Sequence, residues 1–334
     1  MSEDCLLSTQ GYREKIEQEA WYWGRRTEAL LEKGITWEVD RRRAAKVVGL
    51  VEGLNSKFDP WVEELWHGEL IDYALDKACQ AGKEALDLGC GAGWLSLEMA
   101  RRGLSVTAMD VSERQIQIAK NYWNSLEEDV EGDVEYQVQD LNEVVLERSR
   151  YDCILSFTSL HHILRIERLM RECHKALKED GLLIVHDSVG MKGRNKLFSS
   201  YLHLLMPLPT YSSYRTKVKN CLSSTLEVFL GRKIYMKLRE VYRKSFSSRP
   251  AATSPFEGVA EGRLIASIQS NFLIEEMVFL DAFGGKVILT DLKIGERWKE
   301  ALLKAFKALD RFFCKTGILP GAGVYIIARK PRRR

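Results

Sequence analysis

The sequence predicts an α/β fold in which helices pack on both faces of a doubly wound, parallel β-sheet. Short apolar runs alternate with amphipathic helical stretches from residue 84 to residue 187, and this alternation is typical of successive β-α-β units. Three glycines at alternate positions occupy the turn between the first run and the helix after it. Strand-type runs return at 272–280 and 323–330, so we expect seven strands in one sheet.

Residues 1–80 are predicted to form a helical cap ahead of this sheet. Apolar side chains recur at three- and four-residue spacing in 12–34 and in 41–54, which is the period of an amphipathic helix. We expect Gly34 and Gly53 to end these two helices, because glycine is common just past a helix C terminus.

The sheet-forming core is predicted over 81–189. Ser112 is expected to cap a helix, because its hydroxyl can accept a hydrogen bond from an unpaired N–H of the first turn. Gly181 is expected to end another helix in the C′ position. The predicted strands are 84–88, 104–110, 134–139, 151–157 and 182–187, and the predicted helices are 94–102, 112–126 and 167–181.

The alternation of strands and helices stops after Asp187. Residues 190–262 are basic and aromatic, and they are predicted to form a helical insertion after the fifth strand. Residues 263–334 are predicted to return to the core with the last two strands, a helix over 296–313 and a basic tail.

The charge of the chain is unevenly distributed, although its net value is only +3. The stretch 190–249 contains thirteen Lys and Arg residues against Glu227 and Glu240, which is a net charge of +11. The rest of the chain therefore carries a net charge of −8. This asymmetry indicates an anionic partner for the insertion.

The composition and the cysteines favour a cytoplasmic protein. No window approaches 18 consecutive apolar residues, so no transmembrane helix is expected. The N-terminal MSEDCLLSTQ lacks the basic and apolar regions of a signal peptide. Seven scattered cysteines without a C-x-x-C pair favour reduced thiols over disulfides or a structural zinc site.

Residues 85–100 read ALDLGCGAGWLSLEMA, and they carry the most functional information. Asp87 ends a strand, and three glycines follow at alternate positions before a helix begins. A dinucleotide fingerprint has the spacing G-x-G-x-x-G, whereas here the third glycine comes one residue early and Trp94 takes its place. The pattern D-x-G-x-G-x-G resembles instead the class I S-adenosylmethionine-dependent methyltransferases, whose sheet is Rossmann-like. The resemblance covers about 84–187 and the last two strands.

The resemblance implies that S-adenosylmethionine is the cofactor, bound outside the carboxyl ends of the strands. Asp110 ends the second strand in MDVS and matches the acid that binds the ribose hydroxyls in the family. Asp140 ends the third strand in QVQDL and matches the acid that binds the adenine amino group. The expected cofactor-binding residues are Asp87, Gly89, Cys90, Gly91, Gly93, Asp110, Val111, Asp140, Leu141 and Ser156.

Two adjacent histidines follow the fourth strand in SFTSLHHIL, and the fifth strand ends in IVHDS. His161 and Asp187 are therefore expected to face one pocket from neighbouring strand ends. Methyl transfer to a hydroxyl requires removal of its proton, which a histidine oriented by a carboxylate performs near neutral pH. The pair is similar to the base and helper of small-molecule and sugar O-methyltransferases, so His161 and Asp187 are the predicted catalytic residues.

Other roles for the histidines stay open. His161 could line the pocket without transferring a proton, and His162 is expected to be structural. His186 is expected to face away from Asp187, because successive side chains alternate along a strand. No metal site is predicted, since adjacent histidines rarely point to one ion and no other clustered ligands are evident.

The acceptor is expected to bind to the additions to the core, as the resemblance implies. A predicted helix over 232–244 has Tyr235, Leu238 and Tyr242 on one stripe. It either packs on the core as a cap or forms part of a lid that contacts an anionic acceptor or an anionic membrane surface. The predicted acceptor is a small molecule, a glycan or a lipid-linked compound, and the predicted reaction is O-methylation; DNA is not expected as a partner.

Two alternative functions are retained. The aromatic and basic cluster WYWGRR at 21–26 could stack on bases, which would make the chain an RNA methyltransferase. Against this, FTSL stands after the fourth strand where base-methylating enzymes have an N-P-P-[YF]-type motif. The second alternative is a catalytically inactive, methyltransferase-like scaffold or partner subunit, although the intact glycines and three acids favour cofactor binding.

Overall fold

A computed structural model describes residues 10–53, 56–231, 234, 235, 237 and 254–332 of the chain. The strands among these residues are β1 (Val51–Gly53), β2 (Ser56–Phe58), β3 (Glu84–Leu88), β4 (Ser105–Asp110), β5 (Asp133–Val138), β6 (Tyr151–Phe157), β7 (Leu177–Ser188), β8 (Leu273–Leu280) and β9 (Gly323–Arg329). The helices are α1 (Gln10–Leu31), α2 (Arg41–Ala44), α3 (Pro60–Ala81), α4 (Trp94–Ala100), α5 (Glu113–Asn124), α6 (Ile166–Ala176), α7 (Gly193–Leu205), α8 (Tyr214–Leu230), α9 (Leu264–Gln269), α10 (Gly285–Asp291) and α11 (Glu296–Thr316).

Seven strands form one sheet in the order β5-β4-β3-β6-β7-β9-β8, which confirms the predicted seven-stranded α/β fold. The five strands from β3 to β7 are parallel to one another. β9 is antiparallel to both β7 and β8, so the sheet is mixed and the expectation of a wholly parallel sheet is wrong at that edge. The strand order reverses between β3 and β6, where an open α/β sheet leaves a crevice at its carboxyl edge.

The core lies on both faces of the sheet, which explains why its strands read as nearly continuous apolar runs. In β6, Cys153 and Leu155 pack on the face covered by α3 and α4. Ile154 points to the opposite face, where it packs with Leu169 of α6. Because successive side chains alternate between the two faces, neither face of this strand can be polar.

The N-terminal cap departs from its prediction after the first helix. α1 matches the helix predicted over 12–34, but the helix predicted over 41–54 is wrong beyond Ala44. There β1 and β2 pair as an antiparallel hairpin, so Gly53 lies in a strand and ends no helix. The valines at 47, 48 and 51 favour this result, because β-branched side chains lose rotamer freedom in a helix.

The helix predicted over 167–181 ends five residues early, at Ala176. Leu177 already pairs with Tyr151 of β6, so Gly181 lies inside β7 and its predicted C′ role is wrong. Pairing with a strand distant in sequence overrides the local helical pattern there. Ser112, in contrast, caps α5 as predicted, since its hydroxyl accepts a hydrogen bond from the N–H of Gln115.

The described part of the basic insertion is helical, as predicted. α7 and α8 pack side by side, with the Ser200 and Ser224 hydroxyls 2.9 Å apart and Lys196 paired with Glu227 at 3.2 Å. The helix predicted over 232–244 lies outside the described residues except at 234, 235 and 237. Among the described helices, none combines the length and apolar character needed to cross a bilayer.

Candidate active site

A cavity of about 780 Å³ opens at the carboxyl edge of the sheet, where the strand order reverses. Strand ends supply its floor. The N-terminal cap and the insertion supply walls, since α1 contributes Glu19 and Trp23 and α8 contributes Thr216 and Asn220. The segments outside the core therefore help to enclose the site.

Most of the residues expected to bind the cofactor meet in this cavity. They come from the loops after three strands that are adjacent in the sheet, β3, β4 and β5. Of the expected cofactor-binding residues, those that line the cavity are Gly89, Cys90, Gly91, Asp110, Val111, Asp140 and Leu141.

Two carboxylates on neighbouring strand ends present acceptor oxygens along one wall. Asp110 accepts hydrogen bonds from the backbone N–H of Gly91 at 3.0 Å and of Ser112 at 2.8 Å. Burial nevertheless raises the pKa of Asp110. Asp140 accepts hydrogen bonds from the Asn142 N–H at 2.9 Å and from the Tyr12 hydroxyl at 2.6 Å. Each carboxyl oxygen has two lone pairs, so this wall fits the hydroxyl and amino donors of a nucleoside.

Three of the residues expected to bind the cofactor do not line the cavity. They instead support the backbone of the glycine turn. Asp87 accepts a hydrogen bond from the Ser96 hydroxyl at 2.6 Å, and burial raises the pKa of Asp87 to about 7. Ser156 donates to the carbonyl oxygen of Leu88 at 3.0 Å. Gly93 begins α4 with a φ of +93°.

The structure brings together the two predicted catalytic residues. His161 lies in a single 3₁₀ turn after β6, and its Nδ1 is 2.5 Å from the Asp187 carboxylate at the end of β7. The same carboxylate accepts the backbone N–H of Leu160 at 2.7 Å and of Ser188 at 2.6 Å. These bonds hold the imidazole with Nδ1 toward Asp187, and His161 itself lines the cavity.

The protonation of His161 depends on its two acidic neighbours. Burial by itself lowers the pKa of His161, but the hydrogen bond with Asp187 and the negative charges of Asp187 and Glu257 outweigh it and raise the pKa to about 10. Glu257 faces the other ring nitrogen, with its Oε1 3.6 Å from Nε2. Its side chain is 63% exposed, so it is the neighbour that a bound molecule can displace.

His162 also lies in the cavity wall, and a carboxylate of α1 orients it. Its Nδ1 is 3.0 Å from Glu19, which also accepts hydrogen bonds from Trp23 and from the Ser254 hydroxyl. The Trp23 ring meets the His162 ring edge-on, with centroids 5.3 Å apart. Nε2 of His162 is buried and has no hydrogen-bond partner among the residues that the structure describes.

Glu257 completes a group that sequence reasoning did not anticipate. The two histidine rings lie with centroids 4.0 Å apart, and both Nε2 atoms face Glu257, at 3.6 Å and 3.8 Å. The ligand atoms of these three residues all lie within 4.8 Å of one another. The 3₁₀ turn thus directs both adjacent rings to the same side, toward Glu257.

Aromatic rings form a second wall of the cavity. Trp94 contacts both Trp37 and Phe157, with ring centroids 6.1 Å and 6.0 Å apart, and Trp37 contacts Phe58 at 5.8 Å. These rings lie on four different elements or loops of the chain. They make this side of the cavity apolar and suited to an aromatic or hydrocarbon group.

His186 faces away from Asp187 along β7, yet it still borders the cavity. Its ring packs on His67 of α3, with centroids 4.7 Å apart, and on Phe157 at 5.5 Å. Burial lowers the pKa of both His186 and His67. These two rings therefore act as neutral, packed groups.

Several residues of the site had no signal in the sequence. The cluster at 21–26 is divided between the site and the surface: Trp23 contacts His162 and Arg26 pairs with Glu38 at 2.5 Å, whereas Trp21 is exposed. Tyr12, Glu19 and Glu257 reach the site only because α1 and the loop before α9 fold over the strand ends.

Comparison with known proteins identifies the domain that carries this site. Residues 86–185 match the family model described as a methyltransferase domain. Residues 86–185 are therefore a methyltransferase domain, and the seven-stranded mixed sheet that contains them is typical of Rossmann-like methyltransferases.

Individual relatives agree with this class. The ubiquinone biosynthesis O-methyltransferase of Coxiella burnetii is 32% identical over 136 residues, which are 41% of this chain and 54% of that protein. The protein of the same description from Xanthomonas oryzae pv. oryzae is 33% identical over 116 residues, which are 34% of this chain and 47% of that protein. The chain spans about half the length of these curated relatives.

A solved structure shares the fold over nearly the whole chain. Geranyl diphosphate C-methyltransferase from Streptomyces coelicolor A3(2), in complex with Mg²⁺, geranyl diphosphate and S-adenosyl-L-homocysteine, is 13% identical. Its TM-score is 0.51, and the match covers 97% of this chain and 98% of that one.

Proposed function

We propose that this protein transfers a methyl group from S-adenosylmethionine to a hydroxyl oxygen of a small, largely apolar acceptor, with His161 as the general base. One observation carries the proposal. Nδ1 of His161 is held by Asp187 at 2.5 Å, while the ring lines the same cavity as the glycine turn. The backbone of Gly91 and the carboxylates of Asp110 and Asp140 would hold the cofactor, which supplies an electrophilic methyl group when bound.

The histidine is arranged to take a proton on the side of the cavity. With Nδ1–H donated to Asp187, the neutral imidazole presents its lone pair on Nε2. An acceptor hydroxyl that enters between Nε2 and Glu257 replaces one of the two groups that favour the protonated ring. Asp187 then stabilises the imidazolium that forms as the oxygen loses its proton.

The cavity wall favours a neutral aromatic or lipid-linked acceptor over a glycan. The aromatic rings of this wall offer apolar contact area, whereas carboxylates already neutralise the positively charged side chains of the cavity. Lys57 pairs with Asp291 at 3.0 Å and Lys286 pairs with Glu63 at 3.0 Å, so an anionic acceptor would have to displace a carboxylate. A phenolic hydroxyl on a lipid tail fits these features, and transfer to oxygen agrees with the ubiquinone biosynthesis O-methyltransferases to which the chain is similar.

One exposed surface supports contact with a membrane that would contain such an acceptor. The α8 face consists of Arg215, Lys219, Leu222, Leu226 and Phe229, which are all exposed and follow one another at spacings of four and three residues. Phe229 is 82% exposed and Leu222 is 61% exposed. Basic residues followed by large apolar ones along one helix face match an anionic lipid surface, and the net charge of +11 over 190–249 acts in the same direction.

Purified protein, S-adenosylmethionine and a polyprenylated phenol test the reaction. We expect formation of S-adenosylhomocysteine and of the methyl ether, both measured by mass spectrometry. His161→Ala should lower the rate about 10²–10⁴-fold, while its affinity for the cofactor, measured by calorimetry, changes little. If His161→Ala methylated the acceptor at a rate close to that of the wild type, His161 would not be the general base. Methyl label from the cofactor that appeared in the RNA of a cell extract would favour the RNA alternative.

Sedimentation with vesicles tests the α8 face. We expect binding to phosphatidylglycerol vesicles that weakens with salt, and weak binding to phosphatidylcholine vesicles. Burying a phenylalanine contributes about 1.5–3 kcal/mol, so Phe229→Asp should reduce binding at least tenfold. Trp298→Asp, which changes another largely exposed aromatic residue, on α11, is the matched control; an equal loss in both variants would contradict a specific role for α8.

A further inference from the structure

Three side chains in the cavity direct ligand atoms to one point. Nε2 of His161 is 3.6 Å from one Glu257 oxygen, and Nε2 of His162 is 3.8 Å from the other. In a tetrahedral site with metal–ligand bonds of about 2.0–2.2 Å, neighbouring ligand atoms lie roughly 3.3–3.6 Å apart. The two histidine–glutamate separations are close to this range, and all three ligand atoms lie within 4.8 Å of one another, so small side-chain movements would bring them to bonding distance of one ion.

Both histidines are already oriented as metal ligands are. The nitrogen that faces away from Glu257 is held by a carboxylate in each case, by Asp187 for His161 and by Glu19 for His162. A carboxylate that fixes the remote ring nitrogen is the usual support of a metal-binding histidine. Two independent carboxylate–histidine pairs that aim at one point are more than packing alone requires.

A buried atom without a partner marks the point between them. The His162 side chain is 10% exposed, and its Nε2 forms no hydrogen bond with the described part of the chain. A buried polar atom of this kind normally has a partner. A cation between the two rings and Glu257 would supply one, and the exposed Glu257 would leave a path for its entry.

We propose that His161, His162 and Glu257 bind a divalent transition-metal cation of the zinc type, and that this cation competes with proton transfer at His161. Imidazole ligands favour Zn²⁺, Co²⁺ and Ni²⁺, whereas Mg²⁺ favours an all-oxygen shell. The competition rests on the proposed function, because the lone pair that binds the cation is the one that would accept the acceptor's proton. A bound cation therefore switches off methyl transfer, and chelation restores it.

Titration of the chelator-treated full chain with CoCl₂ and ZnCl₂ tests the site. We expect one equivalent to bind by calorimetry, with a ligand-field absorption of Co²⁺ that indicates nitrogen and oxygen ligands. Glu257→Gln removes an exposed carboxylate and leaves the packing intact, and His162→Gln removes a nitrogen ligand; each should weaken binding at least tenfold. His174→Gln is the matched control, because His174 packs on Phe272 outside the cavity and should bind the cation as the wild type does.

The rate of methyl transfer then tests the competition. We expect ZnCl₂ to inhibit the wild type at the concentration that fills the site, and Glu257→Gln to require at least tenfold more. Absence of cation binding, or equal binding in all variants, would overturn the site whether or not the protein methylates. Binding without inhibition, or with activation, would overturn the competition. The rate in chelator alone tests the proposed function separately.

Discussion

Replacing Asp187 with asparagine separates orientation of His161 from simple support of the fold. The carboxylate is 2% exposed and accepts three hydrogen bonds, from His161 Nδ1 at 2.5 Å, from Leu160 N–H at 2.7 Å and from Ser188 N–H at 2.6 Å. Asparagine keeps one acceptor oxygen and turns the other into an NH₂ donor. At least one of the three groups must then face a donor, or the imidazole must change tautomer.

The structure sets the expected loss of stability and the expected loss of rate. A buried donor without a partner costs about 1–3 kcal/mol, so Asp187→Asn should lower the free energy of unfolding by that amount. The rate should fall about 10²–10⁴-fold, because an imidazole with its proton on Nε2 cannot accept another there. The loss of rate should therefore far exceed the loss of folded protein at 25 °C.

The assay is single-turnover methyl transfer at saturating cofactor and acceptor, combined with urea unfolding of the same samples. In a His161→Ala background, Asp187→Asn should lower the rate no further, since the carboxylate acts through the histidine. An equal additional loss in that background would refute the reasoning. Asp310→Asn is the matched control, because Asp310 is a buried carboxylate that accepts two backbone N–H groups and does not line the cavity.

Three further predictions concern stability and are measured by urea unfolding. Arg101→Ala should cost about 3–5 kcal/mol, because it leaves the fully buried Asp40 without the two hydrogen bonds it accepts from the guanidinium; a loss below 1 kcal/mol would contradict this. Burial raises the pKa of Asp310 to about 6 from 3.8, so its contribution to stability is fully present below pH 3.8 and is lost as the pH rises through 6. That decline is on the order of 3 kcal/mol and should be absent in Asp310→Asn. Gly93→Ala should destabilise more than Gly317→Ala: both glycines have positive φ, but only at position 93 would a Cβ lie 2.6 Å from a tyrosine hydroxyl. Equal losses of stability in the two variants would show that backbone strain alone matters and that the contact with the tyrosine hydroxyl does not.

Local patterns predicted most of the core because its requirements are local. A strand buried on both faces must be apolar along its length, as in β6, and a helix must begin with a capping group such as Ser112. The prediction failed at 41–54 and at 177–181. In both places the backbone pairs with a strand whose position a local helical pattern does not encode, and these strand hydrogen bonds replace helical ones.

The residues of the candidate site likewise fall into those that local patterns predicted and those that they did not. The glycine turn and the acids at 110 and 140 follow strands directly, so their position at one sheet edge comes from the parallel order of the strands. Likewise, His161 follows β6 and Asp187 lies at the end of β7, and these two strands are neighbours in the sheet. Glu19 and Glu257 could not be predicted, because they reach the histidines from α1 and from the loop before α9.

The sequence by itself determined the class of domain and the edge of the sheet at which it works, because strand, turn and strand-end acid are encoded within a few residues of one another. The tertiary structure alone decided which nitrogen of each histidine meets a carboxylate and which faces the cavity. It also decided that two adjacent rings converge on Glu257. Such contacts depend on the packing of segments far apart in the chain, and packing of this kind leaves no periodic or local pattern in a single sequence.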